Sequence, residues 1–212
     1  YNPDGRTPGV RTDIGYETGD QIGTDYDPMI AKLISRGETR DAAIDYLIDH
    51  LKEAPLLGVK TNRDFLIRLL DTQAFRNGEI RTSDLDAWAE DGEGPFAPIP
   101  LPFEALAVAA ADIAATETPV LRSASVTSFD LDFEADGEAV TVRVEQTPTG
   151  GVVVTEGDAR AEVEILERWA EVLKVRIDGV VRMVPAAVGA DDALYTALPE
   201  RLARIVEASP WS

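Results

Sequence analysis

The stretch YDPMIAKLI, residues 26–34, decides the fold of the N-terminal part of the chain. It is a near-continuous apolar run between Gly23 and Gly37, and such a run is typical of a strand covered on both faces. Pro28 lacks a backbone donor, so it should stand at the first residue of the strand or at an edge. We therefore predict a strand here, buried on both sides.

A second strand precedes it. Residues 10–16 alternate apolar and polar side chains, which is the pattern of a half-exposed strand. Gly19 and Asp20 then predict a turn before residues 26–34. The economical interpretation is a pair of antiparallel strands.

Two helices follow the strands. Thr39 can cap a helix over residues 40–54, which Pro55 ends, and residues 56–60 read as a short apolar strand. Asn62 is well placed to cap a second helix. The order strand, strand, helix, strand, helix predicts an α+β fold with helices on one face of an antiparallel sheet.

Residues 91–102, DGEGPFAPIPLP, have the composition of a linker, because Gly and Pro interrupt regular structure. They divide the chain into an N-terminal domain, residues 1–90, and a C-terminal domain, residues 103–212. The second domain opens with an Ala-rich helix over residues 103–116 that is apolar nearly all round. Such a helix must be buried on all sides, and Pro119 is expected to end it.

From Ser125 onward the hydrophobic period changes to two, which is the pattern of strands. Turn pairs separate the segments, and Asp136-Gly137 and Asp178-Gly179 favour type I′ hairpins. Seven or eight short antiparallel strands predict an up-and-down barrel or a sandwich. The apolar helix would fill it.

The composition excludes several classes of function. With 39 acidic and 20 basic residues the formal charge is −19, which opposes binding to nucleic acid or to an anionic membrane and favours a basic partner surface. The chain has no cysteine, so thiolate chemistry and disulfides are excluded. It has neither a long apolar run nor a signal pattern. It begins without Met, which we interpret as a cut inside a larger protein.

Four motifs in order resemble the C-terminal domain of biotin carboxylase, the ATP-grasp component of biotin-dependent carboxylases. They are PGVRTD, YDPMIAKLI, GETRDAAI and GVKTNRDFL, at residues 8–13, 26–34, 37–44 and 58–66. The apolar helix and strand meander, closing with VEASPW at residues 206–211, are similar to the domain that contacts the carboxyltransferase in acyl-CoA carboxylase alpha subunits. This resemblance implies a barrel around the helix.

The resemblance also implies an activity and its partners. The parent subunit would be a ligase that carboxylates biotin with ATP, Mg²⁺ and bicarbonate, and it would assemble with a carboxyltransferase beta subunit and its own biotin carrier domain. The family's nucleotide-binding parts would lie upstream of Tyr1, and neither Met29 nor Met183 adjoins a lysine as the biotin site requires. The chain alone is therefore expected to bind no cofactor and to be inactive. The cytoplasm is the expected compartment, with the mitochondrial matrix as the alternative.

Few candidate site residues come from the N-terminal motifs. By the resemblance, Asp27 could orient an active-site arginine, although a strand-end carboxylate that binds local N–H groups is the commoner case. Thr82 falls where the family often has a threonine near the adenine, and Gly9, Val10 and Arg11 fall in a segment that forms a dimer contact in some bacterial enzymes.

The remaining candidates come from the residues themselves. Trp169, Tyr195 and Trp211 are candidate partner contacts, with packing in the core as the alternative. His50, the only histidine, is expected on the surface, and a lone histidine makes no metal site. We predict no metal.

Two further hypotheses stay open on the sequence. The chain could be a standalone scaffold that binds a carboxyltransferase. Alternatively, the barrel could carry a small ligand in place of its helix.

Overall fold

A computed structural model of the chain describes residues 9–23, 27–121, 128–199 and 201–208. The chain forms two compact units. The first unit consists of Tyr1–Leu56 and Lys60–Ile99, and the second unit consists of Leu57–Val59 and Pro100–Ser212. In the described part of the chain, no helix is both long and apolar enough to cross a membrane.

The first unit contains an antiparallel pair of strands, β1 (Val10–Ile14) and β2 (Ala31–Ser35), with Val10 opposite Ser35. The predicted pairing is confirmed, but the prediction that the second strand is covered on both faces is wrong. Alternate residues of β2 are exposed, and Ile34 is 40% exposed. The helices cover only one side of this sheet, so its other side stays in solvent.

Four helices complete the first unit: α1 (Arg40–Glu53), α2 (Arg63–Asp71), α3 (Gln73–Asn77) and α4 (Thr82–Asp91). Thr39 caps α1 as predicted, because its Oγ1 accepts a hydrogen bond of 3.1 Å from the Ala42 N–H. Asn62 is the N-cap residue of α2, but its side chain makes no capping bond. The core holds Ile44, Ile48, Ile67 and Leu70.

The short strand predicted over residues 56–60 does not form. This segment is a bend, and Gly58 has φ of +87°, a left-handed conformation that interrupts an extended chain. The predicted linker, residues 91–102, contains the end of α4 and a single 3₁₀ turn, Gly94–Phe96.

The second unit is a closed antiparallel barrel in which each strand pairs with its neighbours in the chain, and the last strand pairs with the first. Its strands are β3 (Ser128–Ala135), β4 (Glu138–Gln146), β5 (Val152–Glu156), β6 (Ala159–Arg168), β7 (Val172–Ile177), β8 (Val180–Val188), β9 (Leu194–Ala197) and β10 (Leu202–Glu207). The predicted hairpins at Asp136-Gly137 and Asp178-Gly179 are confirmed, since all four residues have positive φ.

Helix α5 (Phe103–Leu121) lies among the residues that form the barrel core. It contacts β4, β5, β6, β9 and β10, and Leu106, Ala107, Val108, Ala109 and Ala110 are at most 2% exposed. The interior of an eight-stranded barrel is narrow, so small alanines let a helix fit there. The helix extends beyond residue 116 and past Pro119, contrary to the prediction. Proline lacks a backbone N–H, and at residue 119 it disturbs the helical hydrogen bonds only at the end of α5.

Candidate functional site

The first unit has a groove of about 690 Å³ between the sheet and the helices. Its walls are mostly apolar, with polar groups from Thr12, Asp27, His50, Lys60, Thr61, Asn62 and Arg63. A concave, mainly apolar surface with a few convergent polar groups is the usual form of a binding or docking site. The groove is therefore the candidate site of this unit.

His50 lies inside this groove rather than on the surface, so the prediction of a surface histidine is wrong. It is 3% exposed, and its Nε2 lies 3.0 Å from the Thr12 hydroxyl of β1. Burial lowers the pKa of His50, and the Glu53 carboxylate opposes this to a smaller extent. Burial therefore favours the neutral form of the imidazole over the charged form.

The spacing of α1 contained the signal for a buried His50. Leu47, His50, Leu51 and Ala54 follow one another at positions i, i+3, i+4 and i+7, and all four line the groove. The apolar stripe of Ile44, Leu47, Ile48 and Leu51 was recognised in the sequence, and His50 was placed on the polar side because it directly precedes Leu51.

Arg63 was not singled out from the sequence, yet it is the most buried cation near the groove, with 5% of its side chain exposed. Its Nε donates to the Leu51 carbonyl at 2.6 Å, and its Nη1 donates to Asp64 at 2.5 Å. The Leu51 carbonyl belongs to the last turn of α1, where helical carbonyls lack partners within the helix. Arg63 therefore ties the end of α1 to the start of α2.

Asp27 lines the same groove as His50 and Arg63. Its Oδ1 accepts a hydrogen bond of 2.8 Å from the Met29 N–H, which is the local contact expected of an aspartate beside a turn. Asp27 is exposed, so its other oxygen can reach a second group. A role in orienting an active-site arginine stays a prediction.

The other N-terminal candidates lie away from the groove. Thr82 is the exposed first residue of α4 and does not line it. Arg11 pairs with Asp13 at 2.7 Å on the exposed side of β1. Gly9 has φ of +89°, and a Cβ there would come within 2.7 Å of the Arg36 carbonyl oxygen, so this position requires glycine.

The barrel has a second concavity, of about 430 Å³, at the end where β6 turns into β7 and β8 turns towards β9. Asp112 of α5, which pairs with Arg168 of β6, lines it together with Trp169. Trp169 is 46% exposed, as a partner contact requires. The Asp112–Arg168 pair was not predicted.

The other aromatic candidates of the barrel differ from Trp169. Tyr195 is 7% exposed, and its hydroxyl donates to Asp191 at 3.2 Å, so most of its ring is packed within the barrel wall. Trp211 lies outside the described residues. The described residues include no group of His, Cys, Asp or Glu side chains arranged to hold a metal ion.

Comparison with known proteins identifies the first unit. The family described as the biotin carboxylase C-terminal domain matches residues 1–87. Residues 1–87 are therefore similar to a biotin carboxylase C-terminal domain. The motifs at residues 8–66 that resemble this family all lie within the match, so the resemblance is confirmed.

Several curated relatives extend this finding. The chain is 42% identical over 82 residues to the methylcrotonoyl-CoA carboxylase subunit alpha of Glycine max, covering 39% of this chain and 11% of the relative. It is 39% identical over 77 residues to biotin carboxylase 2 of Bacillus subtilis, covering 36% of this chain and 17% of the relative.

A third relative covers the barrel as well. The chain is 27% identical over 192 residues to the propionyl-CoA carboxylase alpha chain of Mus musculus, covering 84% of this chain and 26% of the relative. An alignment of that length extends well beyond the biotin carboxylase C-terminal domain. The chain spans between about a tenth and a quarter of the length of the relatives described here.

Proposed function

We propose that this chain is part of the alpha subunit of a biotin-dependent acyl-CoA carboxylase. The observation that carries the proposal is the similarity to the mouse propionyl-CoA carboxylase alpha chain, which covers 84% of this chain and so includes both units in the same order. The barrel closed around an apolar helix also supports the proposal. The resemblance to the carboxyltransferase-contacting domain of acyl-CoA carboxylase alpha subunits implies a barrel of this kind.

The parent subunit would carboxylate biotin with ATP, Mg²⁺ and bicarbonate. This chain would supply part of the carboxylase lobe, residues 1–90, and, after the linker at 91–102, a barrel domain for subunit assembly. In this proposal Asp27 orients an active-site group, Thr82 lies near the adenine, and Gly9, Val10, Arg11, Trp169, Tyr195 and Trp211 serve interfaces. The other nucleotide-binding residues of the family would lie in the preceding part of the parent.

The partners in this proposal are the carboxyltransferase beta subunit and the biotin carrier domain of the same parent. The compartment follows that of the parent: the soybean and mouse relatives are named as mitochondrial, and the Bacillus subtilis relative comes from a bacterium. Both the cytoplasm and the mitochondrial matrix therefore remain candidates.

Gel filtration with a purified carboxyltransferase beta subunit tests the assembly role. We expect the chain and the subunit to elute together, and separate elution at micromolar concentration would contradict the proposal. ATP provides an independent test, because a ligand that binds the native state raises its melting temperature. We expect no change with ATP and Mg²⁺, and a rise would show that a nucleotide site lies within this chain.

The ligand-carrier hypothesis is opposed by the packing of α5. Five consecutive residues of the helix, 106–110, are almost completely buried, so a ligand could replace the helix only by opening the barrel core. No specific observation favours the standalone scaffold.

A further inference from the structure

Arg168 points into the barrel because strand β6 is irregular. Ile165 packs against the core, so strict alternation would turn Glu167 inward and Arg168 outward. The register with β7 shifts between Ile165 and Glu167, which makes Leu166 the extra residue of a bulge. Beyond the bulge Arg168 lies opposite Leu173, which is 2% exposed. Cross-strand partners project from the same face of a sheet, so Arg168 is directed towards the interior.

The same bulge keeps a second carboxylate out of the barrel. Glu167 lies on the outer face, where it pairs with Lys174 of β7. Without the extra residue, Glu167 would face the interior that holds Asp112. Two carboxylates in one buried site repel each other, whereas an arginine there neutralises Asp112. The bulge therefore selects the sign of the charge that α5 meets.

The helix itself offers little else to define its position. Residues 105–112 of α5 are all buried, and most of them are alanine. Small side chains at most positions give the helix a nearly uniform surface, and a uniformly packed core distinguishes poorly between alternative arrangements. A displacement by one residue moves a helix only about 1.5 Å along its axis. Apolar packing therefore holds α5 in the barrel without specifying its position sharply.

Asp112 is the one directional group on this surface. It is the only charged side chain of residues 105–114, and 8% of it is exposed. In a displaced or rotated helix, Asp112 would lie in the core without Arg168, and a buried charge without its partner is strongly unfavourable. The other ionic contact of α5, from Arg182 to Glu104 at 2.9 Å, joins two exposed side chains and contributes little.

We propose that the Asp112–Arg168 pair fixes the depth and rotation of α5 inside the barrel, so that the helix takes several positions once the pair is removed. The role is specificity rather than stability. Buried polar groups set helix register in coiled coils in the same way, at a cost in stability. This inference concerns the barrel by itself and does not rest on the proposed function.

The test removes both charges from the full chain in the double variant Asp112→Leu with Arg168→Met. The chain has no cysteine, so spin labels can be attached at Ala115→Cys, on the exposed end of α5, and at Glu145→Cys, on the exposed face of β4. Pulsed electron paramagnetic resonance measures the distance between the labels. We expect one narrow distance distribution with the pair present. In the double variant the distribution should split or become at least twofold wider.

The matched control is Glu164→Leu with Arg176→Met. This pair also joins β6 to β7 and consists of an acid and an arginine, but it lies on the outer face. Arg176 is 45% exposed, close to the 46% of Arg168. We expect the control to keep the narrow distribution. Equal broadening in both double variants would overturn the inference, because it would show that the loss of any such pair loosens the barrel.

The urea midpoint separates specificity from stability. We expect the midpoint of the Asp112→Leu, Arg168→Met variant to equal or exceed that of the unmodified chain, since apolar groups replace both partners of the pair. A narrow distribution at the original distance would overturn the proposal. If that variant does not fold, Asp112→Leu alone decides in the same way, because Arg168 is exposed enough to be hydrated.

Discussion

The Thr12 hydroxyl and Nε2 of His50 lie 3.0 Å apart, and this contact joins strand β1 to helix α1 beside the groove. His50 is 3% exposed, so water has little access to its ring. The two residues are far apart in the sequence, and their hydrogen bond holds β1 against α1 in the first unit.

Thr12→Val should destabilise the first unit, because it removes a hydrogen-bond partner from a buried ring while nearly keeping the side-chain volume. The loss of one hydrogen bond at a buried polar group costs about 1 kcal/mol. Urea unfolding measures this loss. Thr155→Val on β5 is the control: Thr155 is half-buried and its hydroxyl has no described partner, and its change should stay within about 0.5 kcal/mol. Equal losses would contradict the role of the Thr12–His50 contact.

The stability of the first unit should fall as the pH is lowered through about 6.5, the ordinary pKa of histidine. Burial lowers the pKa of His50 in the folded state, so below pH 6.5 the unfolded chain binds more protons than the native one. The stabilisation is fully present above pH 6.5 and is lost as the pH falls towards the lower pKa of the folded state.

His50→Gln isolates this contribution, because His50 is the only histidine of the chain. Urea unfolding at pH 7.5 and 5.5 should show a smaller change with pH in the variant than in the unmodified chain. The same pH dependence in both proteins would show that His50 is not responsible.

Arg63→Met should destabilise the first unit by about 2–4 kcal/mol, because it leaves the Leu51 carbonyl and the Asp64 carboxylate without their shared donor. Arg63→Lys should recover only part of the loss, since a single ammonium cannot reproduce the planar fork of the guanidinium. Arg11→Met is the control, because the side chain of Arg11 is 72% exposed. If thermal unfolding shows the same loss of stability in Arg11→Met and in Arg63→Met, the structural role given to Arg63 is wrong.

Replacing Arg168 should lower the free energy of unfolding by more than replacing Asp112. Arg168→Met leaves a carboxylate that is 8% exposed without its counter-ion, whereas Asp112→Leu leaves an arginine that is already 46% exposed and can be hydrated. We expect Arg168→Met to cost about 1–3 kcal/mol and Asp112→Leu to cost less. Equal losses in urea unfolding would contradict the burial of Asp112.

The stability that Arg168→Met loses relative to the unmodified chain should depend on pH. Burial raises the pKa of Asp112, and Arg168 opposes this rise, so removing Arg168 raises that pKa further. The folded state then binds more protons than the unfolded state between the ordinary aspartate pKa and the raised one. The deficit should therefore be largest at pH 7 and shrink as the pH falls towards 4. A deficit that is constant between pH 7 and pH 4 would show that Asp112 is not the cause.

Much of the barrel could be predicted from the sequence, because local signals determine it. Asp136-Gly137 and Asp178-Gly179 select tight hairpins whatever surrounds them, and alternation specifies the inward face of each strand. The Ala-rich helix was identifiable as buried, since residues 105–112 have no wide polar face.

The errors arose where tertiary contacts override the local pattern. An apolar run at residues 26–34 suggests burial on both sides, but only the rest of the fold determines how many faces are covered. Gly58 turns residues 56–60 away from an extended conformation at a position where apolar content alone favoured a strand. Asp112 and Arg168 are distant in the sequence, and only barrel closure around α5 brings them together.

The intact mass of the protein made by its own cells tests the central claim most directly. If the chain is part of an acyl-CoA carboxylase alpha subunit, its residues should occur in a product far larger than 22.9 kDa that carries a biotin adduct. A product near 22.9 kDa without biotin would contradict that claim.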